Sequence, residues 1–170
     1  MIKNMDQKKI LVIQGGISSE REISLRSGKA CIRALKKLKH KVLLFDPARK
    51  HLSKIKLYKK RVNLIFNALH GRDGEDGIAQ SYFEYFKIPY THSGILSSMN
   101  AMDKILSKEI FKKNRLLTPN YISINSVNYK KNLTRNLSLN YPLVVKPSNE
   151  GSSIGVEICK NFNQLKISIS

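Results

Sequence analysis

The 170-residue sequence is long enough for one large domain or two small ones, and its 41% hydrophobic and 25% charged residues are typical of a folded, water-soluble protein. No apolar run approaches the roughly 20 residues of a membrane-spanning helix, and the polar N-terminus lacks the apolar core of a signal peptide, so we expect a cytoplasmic protein. The two cysteines, Cys31 and Cys159, stand far apart in apolar surroundings, which argues against a disulfide framework.

The net charge of +19, from 31 basic and 12 acidic residues, is a feature of proteins that bind nucleic acids or anionic membranes. The basic residues are mostly lysines and are spread along the whole chain. Their densest groups, within residues 36–41 and 54–61, are short and include no aromatic platform beyond Tyr58. We therefore interpret the charge as compositional drift and expect no nucleic-acid or membrane partner, with a basic nucleic-acid-binding module as an alternative.

The first half of the chain alternates between strand and helix patterns. Apolar runs predict strands at residues 10–13, 42–45, 62–67 and 88–91. Apolar residues at helical spacing predict amphipathic helices around residues 31–38 and 78–86. This order predicts an α/β fold, an open parallel sheet with flanking helices, in which ligands bind at the carboxyl ends of the strands.

Two glycine-rich turns follow the first and third predicted strands. The first, Gly-Gly-x-Ser-x-Glu, is not the dinucleotide fingerprint, and it places Glu20 near a helix start, where the helix dipole favours a carboxylate. Glu20 is therefore either a simple helix-start residue or a carboxylate directed at an amine. The second turn, residues 70–77, follows His70 with three glycines and four charged residues, more than a connector needs. Its spacings match no metal-ligand pattern, so we predict no metal site there.

The second half begins near a hinge at Ser93-Gly94, and we place the domains at residues 1–96 and 97–170. The predicted elements are short helices at 97–102 and 103–113, strands at 121–124, 143–145 and 154–159, and the start of a helix from residue 161.

A lysine and a flexible loop separate the last two predicted strands. Lys146 ends the first of them, Pro147 turns the chain outward, and the Gly/Ser-rich loop 148–155 follows. Glycines let backbone N–H groups approach a ligand closely, serines add hydroxyl donors, and a lysine supplies a compact positive charge. A lid over a phosphate chain and an ordinary hairpin with a flexible turn are both compatible with this spacing, which is not that of a P-loop.

Several short motifs, taken together, have the order and spacing of a known family over essentially the whole chain. They lie at residues 15–24, 67–71, 74–77, 88–91, 93–94, 101–104, 145–147 and 150–155. In these motifs the sequence resembles the D-alanine–D-alanine ligases of the ATP-grasp superfamily. His92 departs from the pattern, because a glycine is usual before this Ser-Gly pair.

The resemblance implies a fold and an activity. A substrate-binding pre-ATP-grasp domain at residues 1–96 would be followed by the start of an α+β ATP-grasp domain at residues 97–170. The enzyme would join two D-alanines into D-alanyl-D-alanine through an acyl phosphate, for peptidoglycan synthesis, using ATP and Mg²⁺ or Mn²⁺. Its partner would be D-alanine, and the full-length enzyme would be a homodimer in the cytoplasm.

The resemblance also assigns roles to residues. Glu20 would hold the ammonium of the first D-alanine and orient Ser152, and these two residues are the catalytic candidates. His70 would lie beside the carboxylate of the same substrate. Contacts to ATP would come from Lys104, Lys146, Glu150, Gly151, Ser152 and Ser153.

Family members extend over roughly 300 residues, by domain-size reasoning three lobes. We therefore expect this chain to be a fragment that lacks ligase turnover, with the metal ligands in a C-terminal part that it does not contain. The alternatives are another ATP-grasp carboxylate–amine ligase, such as a D-alanine–D-lactate ligase, a non-catalytic basic binding module, and a regulatory remnant.

Overall fold

The computed structural model describes residues 6–129 and 137–169, so part of the polar N-terminus lies outside the described residues. The chain divides into two compact units, Met1–Met102 and Asp103–Ser170. The predicted mixed α/β class is confirmed, whereas the domain boundary placed after residue 96 stays a prediction. Among the described residues, no helix is both long and apolar enough to cross a membrane.

The first unit is built on a three-stranded parallel sheet. Its elements in chain order are β1 (Lys9–Ile13), α1 (Arg21–Lys37), β2 (Lys41–Phe45), a 3₁₀ helix (Leu52–Tyr58), β3 (Leu64–Asn67), α2 (Ile78–Tyr85) and α3 (Ile95–Met102). The strand order is β2-β1-β3, and both pairings of β1 are parallel. The open parallel sheet predicted from the sequence is therefore confirmed.

The central strand β1 is buried on both faces, as expected for a parallel sheet covered by helices. Leu11 and Ile13 are fully buried and pack into the cluster that includes Phe83 of α2. Ile10 and Val12 point to the opposite face, where Ile32 of α1 packs. Full burial of each such side chain contributes about 1.5–3 kcal/mol, so this strand anchors the first unit.

The prediction of a strand at residues 88–91 is wrong. This segment is reduced to a single parallel bridge between Tyr90 and Ile65, with the N–H of Ile65 donating to the carbonyl of Pro89. Pro89 has no N–H to add to a ladder, and the chain bends at Thr91 and His92.

The second unit contains two short strands and two described helices. These are α4 (Lys104–Lys113), β4 (Leu143–Val145), β5 (Glu157–Cys159) and α5 (Phe162–Ile169). β4 and β5 pair antiparallel, with Leu143 opposite Cys159. α5 begins where the Asn161 side chain accepts from the N–H of Gln164, whose own side chain accepts from the N–H of Lys160, a cap at the helix start.

Two sequence predictions in this unit are wrong. Residues 121–124 form no strand. Tyr121 instead places its ring beneath the ammonium groups of Lys108 and Lys112, at 5.2 and 4.5 Å, and its hydroxyl donates to Glu109. The returning strand begins at residue 157 rather than 154, because residues 151–155 are folded into turns.

Candidate active site

The turn after β1 places Glu20 at the entrance of α1. Gly15 and Gly16 adopt left-handed φ values of 86° and 77°, which cost little for glycine and let the chain reverse over the sheet edge. Glu20 is the last residue before α1, and its side chain is only 1% exposed. Most helix-start carboxylates face solvent, so this burial favours the interpretation of Glu20 as a site residue.

A serine joins the ends of two neighbouring strands. The hydroxyl of Ser24, on α1, accepts from the N–H of Gly15 at 2.8 Å and donates to the carbonyl of Ala68 at 2.7 Å. One bond reaches the turn after β1 and the other reaches the turn after β3. The two glycine-rich turns predicted from the sequence therefore lie together at the carboxyl ends of the strands.

An ion pair fixes the same turn from outside. Arg21 donates two hydrogen bonds to Asp46, at 2.8 and 3.1 Å, and a third to the carbonyl of Gly16 at 2.7 Å. Burial alone would raise the pKa of Asp46, but hydrogen bonds from Arg21 and from the N–H groups of Gly16 and Ala48 lower that pKa to about 2. The Asp46 carboxylate is a structural anchor beside the site.

The turn after β3 holds His70 between two side chains. Its Nε2 lies 3.1 Å from the hydroxyl of Ser27, and its Nδ1 lies 3.6 Å from Oε1 of Glu75. The other carboxylate oxygen of Glu75 accepts from the N–H of Gly71 at 2.8 Å. These contacts fix the orientation of the imidazole ring.

Glu20, His70 and Glu75 converge. One ligand atom from each lies within 4.8 Å of the others. Gly71 lets the carboxylate of Glu20 come close to the backbone of the turn, because a β-carbon at residue 71 would sit 2.7 Å from a Glu20 oxygen. The φ of Gly71, +68°, also favours glycine. The two residues of the first unit that the resemblance assigns to the substrate, Glu20 and His70, are thus brought together. Sequence reasoning missed Glu75, although the charge density of the turn had marked its segment.

Two carboxylates and an imidazole at this spacing can bind a cationic group, either an ammonium or a metal ion. The sequence spacing did not indicate a metal site, and the prediction that this chain supplies no metal ligand stays a prediction.

Buried amides hold the acidic turn in place. The side-chain amide groups of Asn67 and Gln80 both donate to the carbonyl of Gly74 at 2.9 Å, one residue before Glu75. The amide nitrogen of Asn67 also lies 3.3 Å from Nδ1 of His92. Burial lowers the pKa of His92, the negative charge of Glu75 partly opposes this, and His70 adds a smaller lowering effect.

In the second unit, Lys104 holds the glycine- and serine-rich loop. Asp103 caps α4 by accepting from the N–H groups of residues 105 and 106. The ammonium of Lys104 then donates to the carbonyls of Ser148, at 3.2 Å, and Glu150. The backbone N–H of Lys104 also donates to the carbonyl of Ser148 at 3.0 Å. Lys104 therefore ties the helix start to the loop.

The loop itself has an unusual backbone. Ser152 and Ser153 adopt left-handed φ values of 47° and 62°, and both side chains are exposed. Gly155 has a φ of +66°, and a β-carbon there would sit 2.9 Å from Pro147. Two successive non-glycine residues in this region are costly, and such strain is common at ligand-binding loops.

Lys146 is exposed beside this loop. Burial lowers the pKa of Lys108, and the positive charges of Lys146 and Lys112 lower it further. The second unit thus gathers lysines close to the loop predicted to cover phosphates. The predicted link between Glu20 and Ser152 joins the two units and stays a prediction.

Comparison with known proteins gives this geometry a context. A family profile described as "D-ala D-ala ligase C-terminus" matches residues 110–170. The D-alanine–D-alanine ligase of Pelagibacter ubique is 51% identical over 161 residues, which cover 94% of this chain and 52% of that protein. Over nearly its whole length this chain is similar to D-alanine–D-alanine ligases.

Solved structures agree. The D-alanine–D-alanine ligase of Helicobacter pylori superimposes with a TM-score of 0.76 at 28% identity, covering 95% of this chain and 59% of that one. The ligase of Bacillus anthracis complexed with ATP gives a TM-score of 0.71 at 32% identity, covering 95% and 53%. The chain spans about half the length of the curated D-alanine–D-alanine ligases it matches.

Proposed function

We propose that this chain supplies the first D-alanine site and the phosphate-covering loop of an ATP-dependent D-alanine–D-alanine ligase. The observation that carries the proposal is the convergence of Glu20 and His70 at the carboxyl ends of the parallel strands, in a chain similar to these ligases. Ligands of open parallel sheets bind at that end. We extend the proposal to peptidoglycan synthesis in the cytoplasm by a homodimeric full-length enzyme, on the family resemblance alone.

D-Alanine is a zwitterion, and the cluster offers a partner for each of its charges. The buried carboxylate of Glu20 suits the ammonium, because a charge-assisted hydrogen bond is strong where water is excluded. The imidazole of His70 suits the carboxylate, with Glu75 and Ser27 fixing its orientation. A rigid site of this kind selects one hand of a small amino acid by shape.

The second unit fits the polyphosphate of ATP. Of the three N–H donors of the Lys104 ammonium, two are directed at loop carbonyls and the third can serve a phosphate oxygen. Lys146 is exposed and supplies a second cation. The turns at Ser152 and Ser153 place backbone N–H groups and hydroxyls in the covering loop, where they would exclude water.

The proposed reaction has two steps. A carboxylate oxygen of the first D-alanine attacks the γ-phosphorus of ATP, giving an acyl phosphate and ADP. The amine of the second D-alanine then attacks the acyl carbon, and inorganic phosphate leaves. Lysine charge stabilises the transferring phosphoryl group, and loop closure protects the acyl phosphate from hydrolysis.

We propose Mg²⁺ as the metal that neutralises phosphate charge in this reaction, and its fit to this chain can be tested. Mg²⁺ favours an octahedron of oxygen ligands. The described residues bring together a single group of three possible metal ligands, and one of them is the imidazole of His70. That set does not fit Mg²⁺, and we derive no step through the metal.

Binding tests the two halves of the proposal separately. Calorimetric titration of the purified chain with D-alanine should give saturable binding that L-alanine does not reproduce, and ATP should perturb the backbone amides of residues 148–155. Equal binding of both alanine enantiomers, or none of either, would contradict the substrate assignment.

A D-lactate-using ligase remains the nearest alternative, since the second unit fits it equally well. A product assay of the full-length enzyme with D-alanine, D-lactate and ATP separates the two, because one forms a peptide bond and the other an ester.

A further inference from the structure

The first unit has a second polar region, at the amino ends of the strands. Lys9 begins β1 and Lys41 begins β2, and the two are paired in the sheet register. The segment before β3 joins them, because Asn63 and Lys9 exchange two hydrogen bonds of 2.8 Å. This end of the sheet is opposite the one that carries Glu20 and His70.

Two adjacent cavities of about 220 and 290 Å³ open there. Both are lined by Lys9, Lys60 and Arg61, and the larger also by Lys41. We call these four residues the basic groove. The remaining lining residues are Gln7, Leu43, Val62 and Asn63, and none of them is acidic.

No carboxylate within the described residues neutralises the basic groove. The ion pairs found there in the first unit use Arg21, Arg49, His70 and Arg72, with carboxylates that follow the carboxyl ends of β2 and β3. The carboxylates of these ion pairs thus lie at the opposite end of the strands from the basic groove. Four like charges around one cavity repel each other, and an anion that entered would relieve that repulsion.

We propose that the basic groove binds a compact anion carrying several phosphate groups, at a site separate from that of D-alanine. The guanidinium of Arg61 can hold two phosphate oxygens at once, and the lysines add point charges.

The packing of Tyr58 favours a compact phosphate over a nucleic acid. Its ring contacts Phe45 edge-on, with ring centroids 5.9 Å apart, and the guanidinium of Arg61 lies 5.5 Å above it. With Arg61 over one face and Phe45 packed against it, the ring is already engaged within the fold, whereas single strands are usually held by bases stacked on open aromatic rings. The cavities are also too small for more than a few linked phosphates.

Titration with inorganic triphosphate tests the proposal. Backbone amide spectra at low salt should show saturable shifts at Lys9, Lys41 and Arg61 that weaken steeply as salt rises. The double variant Lys60→Gln/Arg61→Gln should lose at least about tenfold in affinity, since two charge-assisted contacts are removed. The control Lys29→Gln/Lys50→Gln removes the same charge from exposed positions elsewhere and should change affinity by less than about twofold.

The phosphate site proposed in the second unit is distinguished by Lys146→Gln, which should leave the groove shifts unchanged. Equal losses of triphosphate affinity in the groove variant and the control variant would overturn the proposal, because they would mean that the net charge of the chain alone attracts the triphosphate. Shifts confined to residues 148–155 would overturn it too, as would tighter binding of an oligonucleotide with affinity that grows with its length. Failure here would leave the proposed ligase function intact, because Glu20 and His70 take no part.

Discussion

The two proposed binding regions are built in opposite ways. The D-alanine region sits on the ends of a buried parallel sheet, and Glu20 is 1% exposed. The phosphate region is an exposed loop whose serines adopt left-handed backbone conformations, held at its base by the ammonium of Lys104. A buried cluster of side chains held by hydrogen bonds suits recognition of a small zwitterion by its charges, whereas an exposed loop suits a phosphate chain that must be covered and released.

The largest expected effect is at Glu20. Glu20→Gln keeps the size of the side chain but removes the charge that faces the ammonium, so D-alanine affinity should fall about 100-fold. Glu22→Gln, at an exposed position in the first turn of the same helix, is the matched control and should bind within about twofold of the native chain. Calorimetric titration measures both, and equal losses would remove Glu20 from the site.

The stability of the first unit should depend on the charge of Asp46. Because its pKa falls from 3.8 unfolded to about 2 folded, the charged carboxylate contributes about 2 kcal/mol to the free energy of unfolding. A carboxyl group whose pKa is lower in the folded chain than in the unfolded chain stabilises the fold at pH values above its unfolded pKa. The contribution of Asp46 is therefore complete above about pH 4 and is lost as the pH falls towards 2.

Urea unfolding at several pH values, compared with Asp46→Asn, measures this effect. The stability difference between native chain and variant should shrink over that acid range, and a difference independent of pH would contradict the account of the Arg21–Asp46 pair.

Removing the contacts by which Lys104 holds the loop should have a smaller effect, and only on ATP binding. Lys104→Met keeps the aliphatic stem but removes the contacts to Ser148 and Glu150, so ATP affinity should fall about fivefold while D-alanine affinity stays unchanged. Lys113→Met, at the exposed end of α4, controls for loss of charge. An equal fall in D-alanine affinity would mean that the two regions do not act independently.

The smallest expected effect on D-alanine binding is at Glu75, which contacts both His70 and the backbone of its own turn. Glu75→Gln can still accept from the N–H of Gly71 but loses its charge beside His70, and it should weaken D-alanine binding about threefold. Glu75→Ala loses both contacts and should weaken binding further. If the two variants bind D-alanine identically, the charge and the turn contact cannot both matter.

The two regions also differ in how far they could be predicted. The alternation of strand and helix patterns predicted the parallel sheet and placed both glycine-rich turns at the carboxyl ends of its strands, whereas the pairing of Glu20 with His70 came from the family resemblance. The sequence did not single out Glu75 from the other charged residues of its turn. That choice depends on the amide groups of Asn67 and Gln80, which hold the Gly74 carbonyl.

The sequence patterns gave wrong predictions where packing between side chains distant in sequence determines the structure. Residues 121–124 alternate like a strand, yet the ring of Tyr121 is held by lysines of α4 rather than by a neighbouring strand. The basic groove was not predicted either, because its residues come together only where β1 pairs with β2 and where the segment before β3 bonds to Lys9.

The most direct test of the central claim is a crystal structure of the protein with D-alanine. The account predicts the ammonium of D-alanine within hydrogen-bond distance of the Glu20 carboxylate and its carboxylate beside the His70 imidazole. D-Alanine bound elsewhere, or bound there with its charges reversed, would contradict it.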